Sequence, residues 1–381
     1  MSTAPAGVFD ASRGENERKI FQREAVPHIF RPLELRSVRV RNRIMMSPMS
    51  QYSATDARAN DWHFQHLVSR AVGGTGIVFT EVNHVNRAGL FTPHCLGLWD
   101  DPQRDALARI ARAVKAQGAA AGIQIGHAGR KASTARPWEG SKPISIDNGG
   151  WQGFAPSAIP IAEGYPVPIA MDEKTIGETL DAFAASTRRA REAGFDIVEI
   201  HGGHGYLIHE FLSPLANRRT DRYGGSFENR TRLLLEVMDA VRAEWPDTQP
   251  LFLRISATDW VDGGWDLESS VKLAQLLRER GQVDLIDCST GGVDRRQKIS
   301  IYPGYQVPFA SAIRKRSGMP TAAVGLINGP DLAEQIVAGG DADLVVLGRA
   351  LLADPYWPLH AARTLRARVA WPTQYERADI Y

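Results

Sequence analysis

Eight short apolar runs alternate with helical stretches along most of this chain. The runs, which we predict to be strands, are Ile44–Met46, Ile77–Thr80, Gly122–Ile125, Ile197–Ile200, Leu251–Ile255, Leu285–Cys288, Thr321–Val324 and Leu344–Leu347. The helical stretches between them include Asp101–Lys115, Lys174–Ala193, Asn229–Glu244, Leu267–Arg280 and Pro330–Ala338. Eight units in this alternation predict an α/β fold, the (β/α)8 or TIM barrel. A doubly wound sheet is the alternative, but no glycine-rich turn follows Ile44–Met46, where that fold usually carries one.

The N-terminal part of the chain lies outside this alternation. Residues 1–26 are polar and have almost no apolar period, so we predict a flexible tail or an arm that contacts another subunit, with disorder favoured. Residues 27–381 are predicted to form a single barrel. Apolar and polar residues alternate around a turn within residues 30–40, which predicts an N-terminal β-hairpin that closes the bottom of the barrel.

One connection is much longer than the others. About fifty residues, rich in Pro, Gly and Trp, separate Ile125 from Thr175. Because loops of this length usually form a lid or wall over a site, we predict residues 128–170 to be a capping insertion after the third strand. The stretch Pro355–Val369 is predicted to be helical and to close the barrel.

Composition excludes several classes of protein. The chain has 381 residues, 43% of them hydrophobic, and a net charge of +2, which gives no basic footprint for nucleic acid. Cys95 and Cys288 are its two cysteines, too few for a disulfide framework or a cysteine-rich metal cluster. No apolar run is long enough to span a membrane and no signal-peptide pattern is present, so we expect a cytoplasmic protein.

Polar side chains cluster directly after the fourth predicted strand, where His201, His204 and Tyr206 follow an apolar run. The carboxyl ends of barrel strands carry the active site in this fold, so these residues are candidates for catalysis. The two histidines could bind a metal with a third ligand from elsewhere, such as His209 or Glu210. They could instead donate hydrogen bonds to one oxygen, with Tyr206 donating a proton nearby. A purely structural histidine network is the third alternative.

The ends of the last two strands suggest a phosphate site. Gly325 follows strand seven, and Gly348 and Arg349 follow strand eight. Barrels of this class seat phosphates on backbone N–H groups at these turns, although glycine there can also serve chain geometry alone. Trp357, shortly afterwards, is a candidate aromatic wall on the substrate side.

Two strands carry a polar residue where an apolar one is expected. Gln124 and Arg254 would face the barrel interior, which is costly without a partner. They could form a buried network, or contact a polar ring such as a flavin pyrimidine. The histidines His63 and His66 are predicted to lie on a helix, at its surface or packing edge.

Together these motifs resemble the Old Yellow Enzyme family of FMN-dependent ene-reductases, in particular its bacterial, thermophilic-like and xenobiotic reductase branch. The matching segments are Asn42–Met49, Gln124–Lys131, His201–Pro214, Asn217–Asn229, Gly304–Ala310 and Gly348–Arg349. They are spread over roughly residues 27–357, nearly the whole predicted barrel.

The resemblance implies a cofactor, a reaction and a set of roles. FMN, bound tightly but not covalently, would contact Pro48, Met49, Ser50, Val82, Gln124, Arg254, Ser289, Gly325, Gly348 and Arg349. NADPH or NADH would reduce it, and an activated alkene would then take a hydride from flavin N5 in a ping-pong reaction. His201 and His204 would hold the substrate oxygen, and Tyr206 would supply the proton. Tyr52 would be a further substrate-side hydroxyl. No metal is implied, and we expect small-molecule substrates and a homo-oligomer.

Two positions depart from the family pattern. Ser50 stands where this branch normally has a cysteine beside the flavin, and Val82 stands where a smaller alanine is usual. The smaller and less polarisable serine at position 50 is expected to change the flavin potential and the substrate range, and the larger valine at position 82 is expected to crowd the dimethylbenzene or pyrimidine edge of the flavin site.

Three other functions remain as alternatives. A non-redox aldolase or isomerase would need Lys131 or Glu81 as its catalytic group. An RNA-binding flavin barrel is opposed by the near-neutral charge. A silent protein that holds a phenolic ligand over a flavin is the last alternative.

Overall fold

Eight parallel strands close into a barrel in the computed structural model, which describes residues 26–379. The barrel strands are β3 (Ile44–Met46), β4 (Ile77–His84), β5 (Ala120–Gly126), β8 (Ile197–Gly202), β9 (Leu251–Ser256), β10 (Leu285–Ser289), β11 (Thr321–Val324) and β12 (Leu344–Leu347). They pair in this order, and β12 returns to β3. The predicted TIM barrel is therefore confirmed.

Helices alternate with the barrel strands and cover the outside. They are α1 (Asp61–Val72), α2 (Asp101–Ala116), α3 (Glu173–Glu192), α4 (Leu207–Leu212), α5 (Phe227–Glu244), α6 (Leu267–Arg280), α7 (Val307–Ser317), α8 (Pro330–Ala338), α9 (Arg349–Ala353) and α10 (Trp357–Thr364). Side-chain caps set several starts: Asp100 accepts from the backbone N–H of Gln103, and Asp266 from that of Ser269. No helix within residues 26–379 is long and apolar enough to cross a membrane.

The predicted N-terminal hairpin is confirmed and plugs one end of the barrel. Strands β1 (Leu33–Leu35) and β2 (Val38–Val40) pair antiparallel. Leu35 and Val40 pack in one apolar cluster with Met45 and Phe79 from the barrel strands. Burying this cluster keeps water out of the end of the barrel opposite the strand C-termini. The flexible tail predicted for residues 1–26 lies outside the described residues, apart from Val26.

The predicted capping insertion after β5 is also present. It contains short 3₁₀ helices at Gly129–Lys131, Pro137–Glu139 and Ile146–Asn148, and strands β6 (Phe154–Ala155) and β7 (Ile169–Ala170). The insertion is tied to the rest of the barrel by side chains: Trp151 Nε1 donates to the Ala88 carbonyl, and Arg219 donates to the carbonyls of Pro156 and Met171. It therefore forms an ordered wall beside the strand C-termini.

Three local predictions are corrected. Strand β4 runs four residues past the predicted Thr80, with an irregularity between Phe79 and Val82, and this extension pairs Val82 with Gln124. The C-terminal helix is limited to Trp357–Thr364 within the predicted Pro355–Val369.

The third correction concerns two histidines of α1. His63 and His66 lie on a helix as predicted, but the surface position, one of the two positions predicted for them, is wrong, because they are 1% and 6% exposed. His63 turns inward because its Nε2 lies 3.2 Å from Oε1 of Glu81, a residue of the neighbouring strand. This partner is distant in sequence, so helical periodicity could not reveal it.

Candidate active site

The C-terminal end of β8 brings His201, His204 and Tyr206 together. The His201 and His204 rings meet edge to face with centroids 5.1 Å apart, and the rings of His201 and Tyr206 meet in the same way at 4.8 Å. His201 Nε2 lies 3.3 Å from His204 Nδ1, and His204 Nε2 lies 2.7 Å from the Ser289 hydroxyl at the end of β10. The two imidazoles thus form a hydrogen-bonded chain that ends at Ser289. No set of three or more His, Cys, Asp or Glu side chains in the described part of the chain is arranged to hold a metal ion.

The backbone that carries these side chains has a strained conformation, which contacts with neighbouring loops stabilise. His204 has φ +56° and Gly205 has φ +70°, both in the left-handed region. A Cβ on Gly205 would lie 2.2 Å from the Gly292 carbonyl oxygen, so only glycine fits this position. The His204 N–H donates to the Ser256 hydroxyl at 2.8 Å. The turn therefore depends on contacts with the loops after β9 and β10.

A third histidine, His209, supports the same turn from the protein interior. His209 Nδ1 accepts a hydrogen bond from the Gly205 N–H at 2.8 Å, and His209 Nε2 donates to Asp259 Oδ1 at 2.8 Å. Asp259 Oδ2 also accepts from the Ser213 hydroxyl at 2.6 Å and from the Trp265 N–H at 2.7 Å. His209, Asp259 and Ser213 are completely buried. His209 is thus a structural support of the turn between His204 and Tyr206, and its ring nitrogens are both occupied.

His201, His204 and Tyr206 form what we call the rim of the site, and burial sets their protonation. Desolvation, followed by the charge of Arg254, lowers the pKa of both His201 and His204 well below the ordinary value, so both imidazoles are neutral at pH 7. Desolvation raises the pKa of Tyr206, so its phenol keeps its proton. No group among residues 26–379 makes a hydrogen bond to the Tyr206 hydroxyl. The rim therefore offers neutral donors without a fixed charge.

Polar side chains on the barrel strands form a layer beneath the rim, which we call the floor; its members are Gln124, Glu199, Arg254 and Asp287. Gln124 Nε2 donates to Glu199 Oε1 at 2.8 Å, Arg254 Nη1 donates to the Ser47 hydroxyl at 3.0 Å, and Arg254 Nε lies 3.3 Å from Asp287 Oδ2. Burial, followed by the charge of Asp287, raises the pKa of Glu199 well above its ordinary value and favours the neutral acid. No group within residues 26–379 donates to the side-chain carbonyl oxygen of Gln124, so this oxygen is left to accept a hydrogen bond from a ligand.

A small cavity opens where strands β11 and β12 end. Its volume is about 160 Å³, and it is lined in part by Ser289, Gln306, Gly325, Gly348 and Arg349. Gly325 has φ +134°, and a Cβ there would lie 3.2 Å from the Gln306 backbone nitrogen. Glycine thus keeps the backbone open, and Arg349 supplies positive charge, as a phosphate requires. The cavity and the polar floor together fit the phosphate and the polar ring edge of FMN.

The predicted cofactor residues of the first two strands line the same side of the barrel. Pro48, Met49 and Ser50 directly follow β3, and the Met49 sulfur lies 3.5 Å from where a Cβ of Gly348 would be. Val82 pairs with Gln124 in the neighbouring strand. The segment after β3 is anchored by Glu81, whose Oε1 accepts from the Gln51 N–H at 3.2 Å. 

Tyr52 lies on the wall between the β3 loop and the insertion. Its ring contacts Phe91 at 6.2 Å and Trp138 at 5.7 Å between centroids, and its φ is +52°. Burial, with smaller effects of Cys95 and Glu81, raises the pKa of Tyr52 to about 12. Phe91 also meets Tyr206 at 5.9 Å, so Phe91 joins the two tyrosines into one aromatic wall.

Trp357 is not brought to this site. It is 7% exposed and packs in the main hydrophobic core, and its Nε1 donates to the Asn328 carbonyl at 2.8 Å. Asn328 lies in the wall of the cavity at the ends of β11 and β12, so Trp357 supports that cavity from behind. We therefore withdraw the predicted substrate-side position of Trp357, because helix α10 turns this face inward.

Several residues at the site were not assigned a role from the sequence. Glu199 and Asp287 interrupt apolar strands in the same way as Gln124 and Arg254, so the same signal could have identified them. The pairing of His209 with Asp259 gives no such signal, since the two are fifty residues apart. Glu81, the carboxylate considered for an aldolase, is instead held through Oε1, which lies 3.2 Å from His63 Nε2 and accepts from the Gln51 N–H at 3.2 Å; its Oε2 makes no hydrogen bond within residues 26–379.

The chain is similar to known flavin oxidoreductases over most of its length. A model of the NADH:flavin oxidoreductase / NADH oxidase family matches residues 28–367. The NADPH dehydrogenase of Bacillus subtilis (strain 168) is 44% identical over 351 residues, which are 92% of this chain and 98% of that protein. Morphinone reductase has a similar structure (TM-score 0.74, 26% identity, 92% of this chain and 93% of that one). So has the Old Yellow Enzyme homologue of Zymomonas mobilis (TM-score 0.75, 27% identity, 91% and 94%).

These similarities confirm the resemblance inferred from the motifs, and they agree with a floor and cavity that fit FMN. The chain belongs to the NADH:flavin oxidoreductase / NADH oxidase family, in its Old Yellow Enzyme branch, and is an FMN-dependent oxidoreductase that uses a nicotinamide reductant.

Proposed function

We propose that this enzyme uses NADPH to reduce the C=C bond of α,β-unsaturated carbonyl compounds or similarly activated alkenes in a ping-pong reaction. One observation carries the proposal: two neutral imidazole nitrogens, His201 Nε2 and His204 Nδ1, lie 3.3 Å apart beside the unbonded hydroxyl of Tyr206. NADPH is favoured as reductant because the Bacillus subtilis relative is an NADPH dehydrogenase. FMN, when bound, supplies the redox chemistry by accepting a hydride and passing it to the alkene.

The two imidazoles hold the substrate oxygen. An oxygen placed between His201 Nε2 and His204 Nδ1 is within hydrogen-bond reach of both nitrogens, because they lie only 3.3 Å apart. The His201 Nδ1 accepts from the Gly203 N–H at 3.2 Å, so the hydrogen of this neutral ring is on Nε2 and points at the oxygen. Two donors on one carbonyl or nitro oxygen withdraw electron density from the conjugated double bond and stabilise the negative charge that develops there.

Ser289 allows His204 to act as the second donor. His204 can donate through Nδ1 only if its Nε2 accepts, and the Ser289 hydroxyl, 2.7 Å from Nε2, can supply that hydrogen bond. The same hydroxyl lies 3.4 Å from Gln306 Oε1 and can turn to donate there instead. When a substrate oxygen is present, the Ser289 hydroxyl donates to His204 Nε2 and the His204 hydrogen is on Nδ1. When it is absent, the hydroxyl can donate to Gln306 and accept from His204 Nε2 instead.

Tyr206 supplies the proton at the α-carbon. Its hydroxyl has no hydrogen-bond partner within residues 26–379, and its raised pKa keeps the proton in place until a carbanion-like carbon develops. The ring is positioned by edge contacts with His201 and Phe91. Tyr52, across the aromatic wall, is proposed to contact the substrate from the other side.

The cofactor residues follow from the floor and the cavity. Gln124 and Arg254 would contact the polar edge of the FMN ring, with Pro48, Met49, Ser50 and Val82 along the ring, and Ser289, Gly325, Gly348 and Arg349 around the phosphate. Arg254 places positive charge under the ring, where it favours a cofactor that carries negative charge. No protein carboxylate neutralises it except Asp287, 3.3 Å from its Nε, in the part of the chain that the structure describes.

The role of Tyr206 is tested by replacing it with phenylalanine. Stopped-flow absorbance under anaerobic conditions measures flavin reduction by NADPH and flavin reoxidation by cyclohexenone separately. We expect Tyr206→Phe to slow reoxidation by about 10²- to 10⁴-fold, the usual contribution of a general acid, and to change reduction by less than about 3-fold. The control is Tyr223→Phe, because the Tyr223 hydroxyl bonds Glu236 on the outside of the barrel. Equal slowing of both half-reactions in Tyr206→Phe would contradict the proton-donor role.

A further inference from the structure

A cleft leads from the rim to solvent between the capping insertion and the loop after β10. It has a volume of about 250 Å³, and its walls include Phe91, Lys131, Tyr165, Gly292 and Arg295. Lys131 Nζ lies 5.5 Å from the centroid of the Tyr206 ring, so the inner end of the cleft is at the proposed catalytic residues. A ligand longer than the reacting group can extend into this cleft.

Two cationic side chains of the cleft lack a carboxylate partner. Within residues 26–379 neither Lys131 nor Arg295 has a carboxylate oxygen within 4.0 Å. Lys131 Nζ donates to the His204 carbonyl at 2.7 Å, and the Arg295 guanidinium bonds the Tyr165 hydroxyl and lies 4.4 Å from that ring. These contacts orient the two cations but leave their charges unneutralised.

The acidic residue of the cleft does not neutralise them. Asp294 also lines it, but both of its oxygens are taken by the Arg296 guanidinium, at 2.7 and 3.0 Å. Burial, with the charges of Arg130 and Arg295, lowers the pKa of Lys131 to about 8 despite the opposing effect of Glu210. A partly buried cation with a depressed pKa is stabilised when an anion is placed beside it.

We propose that Lys131 and Arg295 form an anion subsite at the mouth of the active site, and that its occupant is a phosphate group of the nicotinamide coenzyme. This inference rests on the proposed function, because it requires the nicotinamide ring to reach the rim. In the coenzyme a single ribose separates the nicotinamide ring from the pyrophosphate. When the ring lies beside His201 and His204, a phosphate group therefore lies near Lys131 and Arg295. Arg295 binds it as a planar fork of donors, and Lys131 as a point charge. A carboxylate on an alkene substrate would satisfy the same chemistry.

The test compares two charge-removing variants of one loop. Arg295→Gln removes one of the two cations of the cleft, and Lys298→Gln removes an exposed cation three residues later that does not line it. Isothermal titration of the FMN-loaded enzyme with the redox-inactive tetrahydro derivatives of NADPH and NADH measures binding without turnover. We expect Arg295→Gln to weaken binding by about 5- to 30-fold, as for loss of a charged hydrogen bond, and Lys298→Gln to change it by less than about 2-fold.

The pattern of weakened binding decides which group occupies the subsite, or shows that the subsite does not exist. Equal weakening for the two analogues assigns the subsite to the pyrophosphate, and greater weakening for the NADPH analogue assigns it to the 2′-phosphate. Unchanged analogue binding, with a raised KM only for an enone that bears a carboxylate, overturns the coenzyme as occupant in favour of the substrate. No change in either overturns the subsite. A wild-type enzyme that binds both analogues but reduces no alkene would contradict the proposed function without contradicting the anion subsite.

Discussion

Replacing His209 by leucine removes the buried support under the turn that carries His204 and Tyr206. Leucine keeps about the same volume but neither accepts from the Gly205 N–H nor donates to Asp259, contacts that are 2.8 Å long in both cases. The orphaned Gly205 N–H costs about 1–3 kcal/mol, and the bond lost by the completely buried Asp259 carboxylate costs about 1.5–3 kcal/mol. Asp259 keeps Ser213 and Trp265 as donors, which limits the loss. The free energy of unfolding should therefore fall by about 3–5 kcal/mol.

His209→Gln is the matched variant, because an amide both accepts and donates. Its carbonyl oxygen can accept from the Gly205 N–H while its NH₂ group donates to Asp259, so we expect it to recover at least half of the lost stability. The turn also positions Tyr206, and displacement of a catalytic group by about 1 Å can cost on the order of 10²-fold in rate. In His209→Leu the rate of flavin reoxidation by cyclohexenone should therefore fall by at least about 10-fold, and further than the rate of flavin reduction.

Urea denaturation and anaerobic stopped-flow of the wild type and the two variants provide the measurements. Equal stability and equal reoxidation rates for leucine and glutamine at position 209 would show that the two hydrogen bonds of His209 do not support the turn. A leucine variant that loses stability without slower reoxidation would show that His209 does not position Tyr206.

Three further substitutions test separate parts of the structure. Burial raises the pKa of Glu210 to about 8, above its unfolded value near 4.5, so this residue holds a proton in the folded state that it releases in the unfolded state; its contribution to the free energy of unfolding should fall as pH rises from about 5 to 8, a negative slope opposite in sign to that of the buried histidines with lowered pKa values. Glu210→Gln should remove that slope, and urea midpoints across this pH range will show whether it does. Ser289→Ala should slow reoxidation by enones by about 10-fold, because His204 Nε2 loses the donor that lets Nδ1 bind the substrate oxygen; an unchanged rate would remove the tautomer argument. Gly205→Ala combines φ +70° with a Cβ only 2.2 Å from the Gly292 oxygen, so a thermal melt should show a loss of several degrees, and an unchanged Tm would contradict the close packing of the two loops.

The barrel architecture could be predicted from the sequence because it depends on local patterns of apolar and polar residues. Apolar runs such as Thr321–Val324 and Leu344–Leu347 and the helices at Leu267–Arg280 and Pro330–Ala338 have the bounds predicted for them. Strand β4 was predicted too short, because its last residues continue only by pairing with β5. Pairing partners are a tertiary property, which apolar periodicity does not report.

The same distinction holds for the site. The residues at strand ends, among them His201 and Tyr206, could be identified because the barrel fold itself brings all strand ends to one rim. What could not be predicted are contacts between residues far apart in the chain. The Gln124 to Glu199 bond, the His209 to Asp259 bond and the inward turn of Trp357 each depend on which face an element presents to its neighbour.

The most direct test of the account is an anaerobic titration of the purified protein, followed by its visible absorbance. The purified protein should be yellow with bound FMN, should be bleached by one equivalent of NADPH, and should recover its colour fully with one equivalent of cyclohexenone. A protein that binds no FMN, or one that is bleached by NADPH but stays bleached when cyclohexenone and other activated alkenes are added, would contradict this prediction.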